Sequence, residues 1–357
     1  MIDRLLSHDR PRNVWLAAAL LLIVVGLAFA PLWLPGSKAL SVAAKVLIFI
    51  LLVTSYDLLL GYTGIVSFAH TMFFGIGAYG VAIASTRLGP GFDAVALGLL
   101  LALGASLLLS LVIGLFSLRV KAIFFAMITL AVAAAFQTLA SQLSDFTGGE
   151  DGLTFKNPEL LSPSFDFEWL GFALDGRHLS YWLLFGVVTL LFLGTLRVVN
   201  SPFGRVLQAI RENDFRAEAI GLRVVVYRTL SNVLAALLAT VAGALLALWL
   251  RYTGPDTTLS FEIMLDVLLI VVIGGMGTLY GAVIGSVLFV LAQNYLQDLL
   301  KLAGSAVEGV PLLSAVLTPD RWLLWLGVLF VLSVYHFPTG IVGRLRARTL
   351  RLAKPGA

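Results

Sequence analysis

Uninterrupted apolar runs of about 20 residues recur from Val14 to Phe337, and no other feature restricts the possible folds so severely. A helix rising 1.5 Å per residue needs about that length to cross about 30 Å of hydrocarbon. Inside lipid the backbone must satisfy its own amides and carbonyls, which leaves helices or a closed barrel. Barrel strands alternate apolar and polar residues over about ten positions, whereas these runs are continuous and rich in Leu, Ala, Val and Gly. The chain is 59% hydrophobic and 12% charged, against about 25% charged in a soluble domain. The expected fold class is therefore all-α, a polytopic transmembrane helical bundle with glycine-interrupted helices. About ten spans are predicted, at 14–34, 40–60, 64–86, 92–116, 122–140, 180–198, 229–250, 263–280, 281–300 and 321–337.

The basic residues orient this bundle. With both ends placed inside, 16 of the 24 Lys and Arg fall on cytoplasmic segments, 7 on the opposite side, and Lys45 within the second span. The positive-inside rule thus predicts cytoplasmic termini. A single transmembrane domain, 1–357, would carry a cytoplasmic tail at 1–13, an external loop at 141–180, a cytoplasmic segment at 199–228 and a basic cytoplasmic tail at 341–357. The external loop holds Asp145, Glu150, Asp151, Glu159, Asp166, Glu168 and Asp175 against Lys156 and Arg177, and it suits either a soluble partner or plain solvation. Ala28-Phe29-Ala30 has the form of a signal-peptidase site, but Pro31 follows it and the apolar run is long, so a retained first span is expected.

Two glycine-rich stretches break the pattern. One runs from Gly61 and Gly64 to His70 and on to Gly75, Gly77 and Gly80; the other holds Gly274, Gly275, Gly277, Gly281 and Gly285. Gly277, Gly281 and Gly285 are four apart, a spacing that suits close helix packing on one face. The other reading is a broken or re-entrant helix beside a translocation path. A carboxylate precedes each stretch, Asp57 four residues before Gly61 and Asp266 eight before Gly274. An ionised Asp facing lipid costs several kcal/mol, so both are expected in the bundle interior, in an aqueous cavity or near a membrane surface. The candidate path residues are Asp57, Gly61, Gly64, His70, Asp266, Gly274, Gly275 and Gly277.

Between spans, residues 201–221 read as an amphipathic helix. Ser201 is placed to cap it, Pro202 suits its first turn and Gly221 its left-handed stop. Val206, Ile210, Ala217 and Ile220 share a face. Such a helix suits anionic lipid, but its mixed charge, six basic and three acidic residues across 197–228, favours a protein partner. Cysteine is absent and the four histidines fit no metal spacing, so no metal or catalytic site is expected, and no nucleic-acid patch is visible. A phosphate-cradling G-x-x-x-x-G-K-[ST] loop is also missing.

Three blocks resemble one family: Leu58 to His70 with Phe74 to Tyr79, Ser201 to Gly221, and Val271 to Gly281. Thr147 to Leu153 resembles the same family's external loop. The chain is similar to the permease subunits, of the LivM type, of high-affinity branched-chain amino-acid ABC importers. The resemblance implies half of a translocation path, paired with a LivH-type sister permease and two cytoplasmic ABC ATPases. It also implies a periplasmic substrate-binding protein and an inner-membrane location. ATP and Mg would bind the ATPases, and this chain would hold no cofactor. Residues 201–221 would be the ATPase-coupling region, with Gly204, Arg205, Ala209, Arg211, Glu212, Ala217, Glu218, Ala219 and Gly221. Asp57 stands where the family usually has Asn, and Asp266 where it commonly has Glu. Branched-chain amino acids are the implied cargo, although relatives carry urea, amides and aromatic compounds. The competing expectation is an ion-coupled secondary transporter using Asp57 and Asp266.

Overall fold

The computed structural model describes residues 13–33, 36–117, 122–163, 165–169, 172–306, 318–337 and 339–345. Several basic residues used for orientation, Arg4, Arg10, Arg12, Arg119, Lys121 and those after Leu345, lie outside them. Each expected span finds a helix: α1 (Val14–Ala28), α2 (Ser37–Thr63), α3 (His70–Leu88), α4 (Phe92–Ser117), α5 (Ala122–Gln142) and α6 (Gly176–Val199). After two non-spanning helices, α7 (Pro202–Glu212) and α8 (Asp214–Ala219), come α9 (Val224–Leu250), α10 (Phe261–Gly274), α11 (Leu279–Ala306) and α12 (Trp322–His336). Among the described residues, eight helical segments are long and apolar enough to cross a membrane, α10 and α12 being counted with their flanking turns as Pro255–Gly274 and Pro319–Leu345. The 15-residue α1 and the 19-residue α3 fall outside that set. The chain is an all-α polytopic bundle.

Two expected spans have shifted boundaries. Residues 64–69 are not helical, and α3 starts only at His70. Gly64 ends α2 at φ +72°, a left-handed conformation that favours glycine. The span expected over 263–280 stops at Gly274, because Gly275 (φ +115°) and Gly277 (φ +77°) turn the chain before α11. Gly277 therefore shares no helix face with Gly281 and Gly285, contrary to its spacing.

Packing in this core cannot rely on the hydrophobic effect, since lipid is as apolar as Leu, and it depends on close approach instead. α9 lies against α2, α3 and α4, and α11 against α2 and α10. A Cβ on Gly77 of α3 would strike the Thr240 carbonyl of α9, and one on Gly243 of α9 would strike the Phe74 carbonyl of α3. The two backbones are in direct contact. Polar ties fix α9 further. Asn232 Nδ2 donates to Ser110 O (2.9 Å), Thr240 Oγ1 to Ser106 Oγ (2.6 Å) and Ser231 Oγ to Leu58 O (3.3 Å).

The two ends of the bundle carry different structures. At one end, β1 (Leu153–Thr154) pairs antiparallel with β4 (Tyr252–Thr253), and Asn157 Nδ2 donates to Leu248 O (2.7 Å). Arg87 lies over the Phe146 ring at 4.5 Å, so the 141–180 loop is fastened to the ends of α3 and α9. Its other strands, β2 (Asp166–Trp169) and β3 (Phe172–Asp175), form a hairpin leading into α6, where Asp175 Oδ1 accepts from the Arg177 and His178 amides, both at 3.1 Å. At the opposite end lie the C-terminus of α2, the turn between α10 and α11, and helix α7.

Candidate translocation and coupling site

Both glycine breaks and the α7 helix meet at one node. Asp57 is buried on the last turns of α2, at 1% exposure, and its Oδ1 accepts from the Gly277 amide at 2.8 Å. Gly61, one turn later, faces the same turn, and a Cβ there would collide with Asp57 Oδ1 and the Gly277 nitrogen. The Arg211 guanidinium, from the last turn of α7, donates through Nη1 to the Gly61 carbonyl, and its Cγ lies under Gly64. A cation there complements the partial negative charge of the α2 C-terminus. A Cβ on Gly277 would sit 2.7 Å from Arg211 Nη1 and 2.8 Å from the Gly61 oxygen. Only glycine fits both corners of the node. Gly275 and Gly274 flank it, with Gly340 packed against Gly275 and Gly281 against Gly274.

The remaining path candidates lie elsewhere. His70, at the start of α3, is 1% exposed; its Nε2 and Ser55 Oγ are 2.7 Å apart, and its ring meets Tyr56 edge-on at 5.2 Å. The Ser55 hydroxyl gives its proton to Leu52 O (2.6 Å), which makes the histidine Nε2–H the donor and leaves Nδ1 buried without a hydrogen bond. Asp266 lines a cavity of about 670 Å³ between α10, α11 and α12. Its Oδ2 accepts from Gln293 Nε2 at 3.3 Å, and Gln293 Oε1 accepts from Lys45 Nζ at 2.8 Å.

Residues 201–221 form two helices, because Asn213 interrupts them and caps the second through Oδ1, which accepts from the Arg216 amide (2.9 Å). The break changes the expected apolar face. Ile210 and Ala217 are buried, but Ile220 is 77% exposed. Ser201 precedes α7 as expected, yet its hydroxyl donates backwards to Val198 O (2.6 Å) and caps nothing. Gly221 adopts φ +90° as expected. Gly204 is buried where a Cβ would strike the Val199 carbonyl, tying α7 to the end of α6. Arg205, Ala209, Arg211, Glu212, Glu218 and Ala219 are exposed, as is Phe215 at 84%.

This architecture has close sequence counterparts. Residues 38–334 match the family described as "Branched-chain amino acid transport system / permease component". The chain belongs to that family. It is similar to the high-affinity branched-chain amino acid transport system permease protein LivM of Salmonella typhimurium, 25% identical over 325 residues that cover 85% of this chain and 73% of the relative. LivM of Escherichia coli is 24% identical, with 85% and 74% covered. BraD of Pseudomonas aeruginosa, a permease protein of the same type, is 27% identical, with 82% and 91% covered. No solved structure matches.

Within this permease family member, sequence reasoning named Asp57, Gly61, Gly277 and Arg211 under two separate roles, path and coupling, and the fold unites them. It singled out Asp266, counted Lys45 only as a charge within the second span, and missed Gln293, which connects them. The available signal was a carboxamide fourteen residues into α11, with Asn294 beside it, in an otherwise apolar stretch.

Proposed function

We propose that this chain forms half of the translocation path of an ATP-driven importer for branched-chain or related small amino acids. A homologous LivH-type permease supplies the other half, a periplasmic binding protein delivers cargo, and two cytoplasmic ATPases bind ATP and Mg. In this reading the membrane is the bacterial inner membrane, the termini and α7–α8 face the cytoplasm, and the 141–180 loop faces outward.

One observation carries the proposal: Arg211 on α7 grips the carbonyl end of α2 beside the α10–α11 turn. A segment that rides on an ATPase and holds two helix breaks transmits motion by contact. Exposed Phe215 and Ile220, set among Arg216 and Glu218, give the segment a mixed surface suited to a protein partner. Closure of the ATPases would then displace α7, pull Arg211 from Gly61 and release the node, switching the permease between two access states. Arg211→Met is expected to leave the ATPases co-purifying with the permease while transport per ATP hydrolysed falls tenfold or more. Unchanged transport stoichiometry would remove Arg211 from coupling.

A further inference from the structure

The polar chain at the 670 Å³ cavity crosses three helices and carries opposite charges at its ends. Lys45 comes from α2, Gln293 from α11 and Asp266 from α10. Gln293 offers its amide oxygen to the lysine (2.8 Å) and its amide nitrogen to the aspartate (3.3 Å). An acceptor presented to a cation, beside a donor presented to an anion, reproduces what the carboxylate and ammonium of an α-amino acid present. Asp266 and Gln293 line the cavity, with Glu262 one turn from Asp266, and its remaining walls are mostly apolar, including Leu269, Phe289 and Phe330. The carboxamide meets each charged end with a neutral group, whereas a zwitterion would set an opposite charge against each of them and add Coulomb attraction to each hydrogen bond.

We propose that Lys45 and Asp266 form a zwitterion-recognition site and that Gln293 is its placeholder in the ligand-free state. The ligand class is a small α-amino acid with an apolar side chain. Its carboxylate takes Lys45 from the Gln293 oxygen, its ammonium takes Asp266 from the Gln293 nitrogen, and its side chain enters the apolar part of the cavity. This site rests on the importer reading above and deepens it. It sits twelve residues from Asp57 along α2, about 18 Å at 1.5 Å per residue, so ligand held here is one helix stretch away from the coupling node. Glu262 adds a second carboxylate on the ammonium side, which disfavours ligands that are anionic overall.

The test uses the complete complex in proteoliposomes with radiolabelled leucine and two competitors, 3-methylbutylamine, which lacks the carboxylate, and 4-methylpentanoate, which lacks the ammonium. ATP-driven leucine uptake by the unaltered complex supports the parent reading, and its absence sinks that reading before the site is addressed. Given uptake, Lys45→Met and Asp266→Asn are each expected to lower it at least tenfold while the subunits still co-purify and basal ATP hydrolysis persists. Neither competitor should inhibit at concentrations where unlabelled leucine does. Gln293→Leu separates the proposal from a structural role. A displaced placeholder predicts retained uptake with a KM lowered severalfold, whereas a purely structural bridge predicts loss of assembly or of uptake. Full uptake in both charge variants, inhibition by the amine or the acid alone, or an inactive Gln293→Leu would each overturn the proposal. If a charge variant fails to assemble, the Gln293→Leu KM decides.

Discussion

Asp57 and Gly61 illustrate how little room the node leaves. A methyl group on Gly61 would meet both a carboxylate oxygen and a backbone nitrogen, and a backbone cannot swing aside as a side chain can. Overpacking of this kind costs about 1–3 kcal/mol, so Gly61→Ala is expected to lower thermal stability in detergent by about 2–3 kcal/mol. Asp57 divides into two tests. Asn at position 57 keeps an oxygen for the Gly277 amide (2.8 Å in the parent) and removes the charge, so Asp57→Asn should change stability by less than about 1 kcal/mol. Leu keeps neither, and an unsatisfied buried amide costs about 1–3 kcal/mol; Asp57→Leu should destabilise by that amount. Equal melting temperatures for the two variants would show that the Gly277 hydrogen bond contributes nothing. From residues alone, carboxylate and glycines were legible as special, because charge and flexibility stand out in an apolar chain. Their mutual contact was not. It joins positions 220 residues apart, and no local periodicity encodes such a distance.

Helices were legible wherever twenty apolar residues ran unbroken, since bilayer thickness alone sets that length. Their ends were less so. Hydropathy continues smoothly through Ile65 and Met276, while the backbone turns at Gly64, Gly275 and Gly277, so the expected spans overran both breaks. The amphipathic segment was misjudged in a similar way. Asn213 caps a new helix and so ends the old one, and the face drawn through Ile220 is lost. Helix contacts give their own prediction. α3 and α9 touch through Gly77 and Gly243, each opposite a carbonyl of the other. Gly243→Val would force these helices apart, and a loss of about 3 kcal/mol or more is expected from thermal unfolding in detergent. Gly186 has nothing within reach of a Cβ; Gly186→Val is the matched control and should alter stability by less than about 1 kcal/mol.

For the whole molecule, one end holds the fastened 141–180 loop and the other holds the α7 helix, the α2 terminus and the α10–α11 turn. Between them sits the Lys45–Gln293–Asp266 chain, which reaches α2 through Lys45. This ordering supports a path in which cargo is recognised within the bundle and released by a node under the control of α7. The two readings differ in their energy source. A secondary transporter would draw on an ion gradient through its intramembrane carboxylates, whereas an importer half depends on ATP hydrolysed by other chains. The decisive measurement is uptake of radiolabelled leucine into proteoliposomes holding this permease with its sister permease and ATPases, the binding protein supplied at the face of the 141–180 loop and ATP at the face of α7. The account predicts uptake that requires ATP and every partner and is indifferent to imposed proton or sodium gradients. Uptake by this chain alone, driven by such a gradient without ATP, would contradict it.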